Sequence, residues 1–255
     1  MIDFPEKSAY TFADLLKLVA DLRAPDGCPW DREQTHTSIR RDFIEETYEA
    51  VEAIDRDDPA LLCEELGDVL FQVAFHARIE EERGRFTMED ILTGIVRKML
   101  SRHPHVFGET HVSGTGEVLR NWESIKNAAK GVQTKAETLR LVPETFPALM
   151  RADKLLKRSD QAGAEGTKTL AAQLPDAYQA FVEAHDPEDG EKALGELLLS
   201  LTAAAREKGL DPEMTLLASC KALTGRFAEA EENTRDHPEQ LPEAFARALK
   251  ENKGK

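Results

Sequence analysis

Two neighbouring helical segments of this chain carry acidic residues at helical spacing. The first reads Glu45-Glu46-Thr47-Tyr48-Glu49 and the second reads Glu65-Leu66-Gly67-Asp68. Residues three or four positions apart share one helical face, so each segment can direct carboxylates at a common point. Clustered carboxylate oxygens are suited to Mg²⁺, with Mn²⁺ as a possible substitute. The predicted ligands are Glu46, Glu49, Glu65 and Asp68, and Glu45 is expected to support them.

Asp68 provides the stronger argument, because it lies inside a nearly continuous apolar run from Leu61 to Phe75. Such a run is typical of a helix that is buried on several sides. An ionised carboxylate there is costly unless it is paired, hydrogen-bonded or bound to a metal, so we expect Asp68 to be buried with a partner. In the first segment, the apolar residues from Phe43 to Ile54 are predicted to face away from the glutamates. Taken alone, that pattern indicates an ordinary solvated face.

Helical periodicity dominates the whole chain, and no convincing pair of strands is found, which predicts an all-α fold. Thr11, Asp58 and Thr87 are predicted helix caps, and Cys28-Pro29-Trp30-Asp31 is a predicted loop. The predicted helices of the first half cover about residues 12–23, 38–55, 59–84, 88–103 and 117–129. The short turn before Pro59 makes its two flanking helices antiparallel, so their carboxylates can face a common space.

Charge and cysteine content limit the possible functions. The chain has 255 residues and a formal net charge of −15, which opposes binding along a nucleic-acid backbone but permits a free nucleotide that arrives with its metal. Its three cysteines show no CxxC spacing, so neither a disulfide framework nor a zinc site is indicated. We find no signal sequence and no apolar run of membrane-spanning length, and we expect a soluble cytoplasmic protein.

The second half of the chain partly repeats the first. Residues 131–145 are predicted to be a linker between a helical domain at 1–130 and a second, degenerate copy at 146–255. Ala193-Leu194-Gly195-Glu196 is similar to Glu65-Leu66-Gly67-Asp68. At the ligand positions of the second copy, Ala180 and Ala193 replace two acids, and only Glu183 and Glu196 remain. Too few ligands are left there for a matching metal site.

Two further motifs flank the acidic segments: Gly27-Cys28-Pro29-Trp30-Asp31 before them and Arg102-His103-Pro104-His105-Val106-Phe107 after them. With these motifs, the first 126 residues resemble the MazG family of nucleoside triphosphate pyrophosphohydrolases. The resemblance continues more weakly to about Glu232, where MazG proteins carry a second copy of the domain. It implies a helical bundle completed by dimerisation or higher self-assembly, dependence on Mg²⁺, and hydrolysis of (deoxy)nucleoside triphosphates to the monophosphate and pyrophosphate.

The resemblance also implies roles for single residues, and each role has a structural alternative. The match makes Lys98 and Arg102 a phosphate-binding pair, whereas the alternative is a last helical turn favoured by the helix dipole. Trp122 and Lys126 match another pair, and the alternative for Trp122 is core packing. The remaining predicted substrate contacts are Trp30, which could instead anchor its loop, and His36, which could instead serve helix entry. Glu45 or Glu49 is the predicted acceptor of the proton from the attacking water.

The function predicted from these residues is Mg²⁺-dependent hydrolysis of nucleoside triphosphates in nucleotide-pool housecleaning. One alternative is a pyrophosphohydrolase specific for dUTP or phosphoribosyl-ATP, which would share the metal site and differ in the base pocket. Another is a non-catalytic helical regulator, which the degenerate second copy and the acidic surface favour. An apolar setting for Asp68 argues against that second alternative.

The unequal ligand sets predict unequal halves. Glu46→Ala is expected to lower the hydrolysis rate by orders of magnitude, because it removes one of four metal ligands. The double change of Glu183 and Glu196 to Ala is expected to leave the rate per site within a few-fold of the parent. Steady-state pyrophosphate release measures both. Loss of hydrolysis in a folded, correctly assembled Glu183/Glu196 variant would place the chemistry in the second copy.

Overall fold

The computed structural model describes residues 2–129 and 131–251, and every regular element in those ranges is helical. The chain divides into two compact units, Met1–Lys126 and Asn127–Lys255. The helices that begin in the first unit are α1 Phe12–Leu22, α2 Pro29–Glu33, α3 Arg40–Asp55, α4 Pro59–Glu82, α5 Met88–Arg102, α6 Pro104–Phe107 and α7 Thr115–Ala129. Within the described ranges, no helix combines the length and apolarity needed to cross a membrane.

The three predicted caps of the first unit are confirmed. Thr11 and Thr87 each form a capping box, in which the threonine side chain accepts from the backbone N–H of an aspartate three residues later. Asp58 accepts from the backbone N–H groups of Ala60 and Leu61 and so satisfies the start of α4. The segment predicted as a loop around Trp30 instead forms the short helix α2, which Pro29 opens at a favoured first position.

Helices α3 and α4 form an antiparallel hairpin with a three-residue connection. Asp57 adopts the left-handed region with φ of 51°, and the N–H of Asp58 donates to the carbonyl of Ala53 at 3.1 Å. Ala50 and Ala53 are buried on α3, and small residues at such positions let two helices approach closely. Near the start of α3, the Phe43 ring meets the His76 ring of α4 edge-on, with centroids 5.6 Å apart. These contacts fix the register of the hairpin.

The hydrophobic core of the first unit lies under the C-terminal half of α4. Phe75 and Ile79 of α4 are almost fully buried with Val19 of α1, and Met88 closes the cluster at the start of α5. The N-terminal half of α4 is different, since Leu66 is 52% exposed. The expectation of a helix buried on several sides along its whole length is therefore wrong for this chain. Along α4, the residues that pack in the core come after the acidic segment, from Phe71 onward.

The second unit is also a set of packed helices. Its helices are α8 Lys135–Arg140, α9 Ala148–Gln161, α10 Gly166–Ala172, α11 Leu174–Glu183, α12 Pro187–Glu207, α13 Pro212–Asn233 and α14 Leu241–Glu251, with a 3₁₀ turn at Pro238–Gln240. Helices α9, α10 and α11 all contact α12. Arg206 of α12 pairs with Asp153 and Asp160 of α9 at 2.9 and 3.4 Å. The predicted linker is partly helical, because α8 forms there with a capping box at Thr134.

Candidate metal centre

Three predicted ligands meet between α3 and α4. One carboxylate oxygen from each of Glu46, Glu49 and Glu65 lies within 4.8 Å of the other two. Glu46 and Glu49 are three residues apart on α3, and the hairpin turns their face toward the start of α4, where Glu65 is buried at 9% exposure. Three oxygen donors at this separation fit a hard divalent cation such as Mg²⁺.

The electrostatics of this carboxylate group match its crowding. Burial raises the pKa of the Glu46 carboxyl, and the charges of Asp68, Glu49 and Glu65 raise it further. Burial likewise raises the pKa of Glu65, with the charge of Glu49 next in importance. Within the described ranges, no Lys or Arg forms an ion pair with Glu46, Glu49 or Glu65. The site thus holds concentrated negative charge that a bound cation would neutralise.

Asp68 and Glu45 occupy different positions from the three central glutamates. Asp68 is close enough to raise the pKa of Glu46, but it is exposed, so the expectation that it is buried is wrong. The physical reason is that the neighbouring apolar residues of α4 have no covering element in the first unit. Glu45 is also exposed, and it accepts from the Arg41 guanidinium at 2.8 Å on the outer side of α3. Among the described residues, the ion pair of Glu45 is with Arg41 and not with a residue of the carboxylate group, so its support of the metal ligands stays a prediction.

The packed face of α3 also differs from the predicted one. Ala50 and Ala53 are buried and Glu46 is half-buried, whereas Ile44 and Ile54 are 51% and 60% exposed. The predicted separation of the apolar residues from the glutamates is therefore wrong for Glu46, which shares the packed face, whereas Glu45 and Glu49 are exposed. Two alanines did not stand out from the larger apolar residues in the sequence, yet their small size is what allows α3 to approach α4.

Of the predicted basic and aromatic residues of α5 and α7, Arg102 and Trp122 are in contact. The Arg102 guanidinium lies 5.3 Å from the centre of the Trp122 ring, which is a cation–π contact. His103 meets the same ring edge-on at 4.9 Å and ends α5. Lys126 pairs with Glu123 at 3.1 Å, and Lys98 is exposed on α5. Trp122 therefore orients Arg102. The sequence analysis predicted phosphate binding for Arg102 and gave core packing as the alternative for Trp122, but it did not predict a contact between the two.

His36 takes part in a polar network that the sequence did not reveal. Its Nδ1 lies 2.7 Å from Nδ1 of His76, and its Nε2 contacts the buried carboxylate of Glu80. Arg83 and Arg85 also donate to Glu80. Since both ring nitrogens of His36 are engaged, a contact with a nucleotide base is disfavoured, and His36 instead ties the segment before α3 to α4. A signal was present in the sequence, because Asp68, Gln72, His76 and Glu80 follow at intervals of four.

These polar residues have shifted pKa values. Burial lowers the pKa of the His76 imidazole, and the neighbouring His36 lowers it further. Burial alone would raise the pKa of Glu80, but hydrogen bonds from His36 and Arg85 outweigh it and hold the pKa below its usual range. The network therefore favours an ionised Glu80 beside a neutral His76.

Trp30 is presented on the surface by a firmly held segment. Its side chain is 61% exposed on α2. The buried Arg23 guanidinium donates to the carbonyl oxygens of Asp31 and Gln34 at 2.5 and 3.2 Å and pairs with Glu82. An exposed indole on an anchored segment fits the prediction of a substrate contact better than that of a loop anchor.

Comparison with known proteins agrees with this geometry. The family model of the MazG nucleotide pyrophosphohydrolase domain matches residues 34–107 of this sequence, which include α3, α4 and α5. The nucleoside triphosphate pyrophosphohydrolase/pyrophosphatase MazG of Thermotoga maritima is 36% identical over 229 residues, covering 89% of this chain and 88% of that protein. The chain belongs to the MazG family. A nucleoside triphosphate pyrophosphohydrolase of Escherichia coli K12 is 38% identical over 226 residues, or 85% of this chain and 86% of that protein.

A third relative shows the same match inside a longer protein. The uncharacterized protein YabN of Bacillus subtilis is 37% identical over 243 residues, which cover 92% of this chain but 50% of YabN. The match to the MazG domain includes all four predicted metal ligands and ends at Phe107, before α7 begins. The family assignment thus applies directly to the carboxylate hairpin and to α5.

The raised pKa of Glu46 predicts a pH-dependent effect on stability. In the folded protein this carboxyl binds a proton more readily than in the unfolded chain. Its contribution to stability is therefore fully present below the ordinary value of 4.5 and is lost as the pH rises through the raised value. Without divalent cations, Glu46→Gln is expected to unfold at a higher temperature than the parent near neutral pH, and this gain should shrink toward acid.

Glu45→Gln is the matched control, because Glu45 is adjacent in sequence but lies outside the carboxylate group. Thermal unfolding of the three proteins in a chelator, from about pH 4 to about pH 8, provides the measurement. A gain of equal size and pH dependence in the Glu45 variant would show that general surface charge, and not the carboxylate group, is responsible.

Proposed function

We propose that this protein hydrolyses (deoxy)nucleoside triphosphates to the monophosphate and pyrophosphate with Mg²⁺, as part of cytoplasmic nucleotide-pool housecleaning. The observation that carries the proposal is the meeting of Glu46, Glu49 and Glu65 between α3 and α4. Membership of the MazG family and the names of the Thermotoga maritima and Escherichia coli relatives support the same reaction. Mn²⁺ would be accepted by the same oxygen ligands.

The donor set fits the proposed metal. Glu46, Glu49 and Glu65 would hold it, with Asp68 contributing from the next turn of α4, and all four ligands are hard oxygens. A bound Mg²⁺ supplies Lewis-acid activation of water and neutralises charge on the triphosphate. Glu49 is the better candidate to accept the proton from that water, because its carboxylate lies within 4.8 Å of those of Glu46 and Glu65, while Glu45 pairs with Arg41.

The basic residues of α5 and α7 would act on the departing pyrophosphate. Arg102 is held by the Trp122 ring, which leaves its N–H groups free to hydrogen-bond with phosphate oxygens. Lys98 and Lys126 would add positive charge, and Trp30 offers an exposed indole for stacking on a base. In this scheme His36 has a structural role, since both its ring nitrogens are engaged.

We propose that the second unit is a degenerate copy that contributes assembly or regulation. In that unit, Arg206 forms ion pairs with Asp153 and Asp160 of α9, and these two aspartates thereby stabilise the packing of α9 on α12. A purely regulatory protein is disfavoured by the unpaired carboxylates of the first unit, which are costly without a cation.

The first activity test is a panel of nucleotides assayed with and without Mg²⁺, with pyrophosphate and phosphate measured separately. Pyrophosphate release that requires Mg²⁺ is expected for the parent. Glu65→Ala and Asp68→Ala are expected to lower it by orders of magnitude while helix content by circular dichroism persists, because the carboxylates serve the metal and not the packing. Unchanged turnover of Asp68→Ala at limiting Mg²⁺ would remove it from the ligand set.

We also propose a homodimer or higher oligomer. Leu66 and Leu70, which flank Asp68 on α4, and Val96 on α5 are 52%, 42% and 54% exposed, and exposed apolar side chains of this kind mark surfaces that a second copy of a chain covers. Covering this surface would also provide the enclosed setting expected for Asp68. Sedimentation velocity is expected to show a dimer or larger species, and Leu66→Glu is expected to weaken it. A monodisperse monomer with full activity would contradict this proposal.

A further inference from the structure

Gln72 lies on the buried side of α4, and its carboxamide oxygen has no partner. The residue is 8% exposed, and its Oε1 is closed off from solvent without accepting a hydrogen bond from any residue that the structure describes. Buried amide oxygens are nearly always hydrogen-bonded in native proteins, because an unpaired one costs folding free energy. An acceptor in this state needs a donor that the described residues do not supply, and either a bound molecule or a buried water provides one.

The position of Gln72 on α4 places it beside the candidate metal centre. Gln72 is one helical turn beyond Asp68 and one turn before His76. At 1.5 Å per residue, each step is about 6 Å along the axis, and residues four apart share a helical face. Glu65 lies on this same face, seven residues before Gln72. The carboxylates, the amide and the imidazole therefore form one polar line along α4.

The partner helix confirms the order of these layers. Phe43 of α3 meets His76 of α4, and α3 runs antiparallel to α4. The turn between Asp55 and Pro59 makes residues equally distant from it face each other, so Glu46 is level with about Asp68, and Gln72, one turn further from the hairpin turn, is level with about Phe43. Along α4, Gln72 therefore lies between the acidic residues and His76.

Neutral amide and aromatic groups next to a metal site suit the uncharged part of a nucleotide. The carboxylates would hold the cation and its triphosphate, whereas an amide oxygen recognises N–H and O–H groups of a sugar or base. We propose that Gln72 Oε1 accepts a hydrogen bond from the nucleoside part of the bound triphosphate. This inference rests on the proposed function, and it makes Gln72 a specificity-determining residue that the sequence analysis did not identify.

The second unit provides a matched control. Ser200 lies four residues beyond Glu196, just as Gln72 lies four residues beyond Asp68, and its Oγ is likewise fully buried and unpartnered among the described residues. Ala180 and Ala193 stand at two of the ligand positions in that unit. Ser200 thus shares the register and the unpaired atom but lacks the acidic residues of a metal site.

The experiment compares Gln72→Leu with Ser200→Ala in the full-length protein. Each change removes an unpaired buried polar atom, so both variants are expected to unfold at the parent temperature or above it. The affinity for a non-hydrolysable α,β-imido nucleoside triphosphate with Mg²⁺, measured by calorimetry, is expected to fall about tenfold in Gln72→Leu. It should be unchanged in Ser200→Ala. Gln72→Met, which keeps an unbranched side chain, replaces Gln72→Leu if the latter fails to fold.

The choice of nucleotide identifies the donor. A loss confined to adenine and cytosine analogues assigns the hydrogen bond to a base amino group, and a loss confined to ribonucleotides assigns it to the 2′-hydroxyl. An equal loss for all analogues assigns it to the 3′-hydroxyl that they share. Unchanged affinity in Gln72→Leu and in Gln72→Met would overturn the inference and would mean that Oε1 meets a buried water only.

Turnover is measured separately, so that the two proposals can fail independently. A parent protein that binds the analogues but releases no pyrophosphate would refute the proposed function, while the affinity of Gln72→Leu would still test the role of Gln72. A parent that hydrolyses triphosphates with the same kcat/KM as Gln72→Leu would refute the role of Gln72 alone. A parent that binds no nucleotide would refute both.

Discussion

Repulsion between like charges is the constraint on which the first unit depends. Packing of α3 on α4 holds Glu46, Glu49 and Glu65 together, although burial and the neighbouring carboxylate charges raise the pKa of Glu46 and of Glu65. The small side chains of Ala50 and Ala53 allow the close approach, and the core under the far half of α4 keeps that helix in place. A bound cation would convert this repulsion into attraction, so the same geometry that costs stability in the metal-free protein favours metal binding.

Helix α4 separates these opposing demands along its length. Its C-terminal half supplies Phe75 and Ile79 to the core and carries the ionic contacts of the buried Glu80 and of Glu82. Its N-terminal half presents Glu65 and Asp68 and makes little contribution to the core. Because the two halves share one continuous helix, the rigid end fixes the position of the ligand-bearing end, as a preorganised site requires.

Local signals in the sequence predicted much of this structure. The caps at Thr11, Asp58 and Thr87 followed from side-chain chemistry that acts within three residues. The burial of Asp68 was predicted wrongly, because apolar periodicity shows which residues need cover and not which element provides it. The pairing of His36 with His76 joins residues 40 positions apart, and no local rule predicts such a contact. The packed face of α3 was predicted wrongly, because alanine carries little weight in an apolar pattern although its small size lets helices pack closely.

The attachment of α2 depends almost entirely on backbone groups. Any side chain at Gly27 would collide with the carbonyl oxygens of Asp21 and Leu22, and the Arg23 guanidinium holds the carbonyl oxygens of Asp31 and Gln34. The side chains of Trp30 and Glu33 are exposed and take no part in the core, whereas Arg32 donates to the carbonyl oxygen of Pro25 at 2.8 Å. The positions of Trp30 and Glu33 can therefore accept different residues while the underlying chain path stays the same. The substrate contact proposed for Trp30 and the folding stability thus depend on different parts of α2, the first on an outward side chain and the second on the anchored backbone.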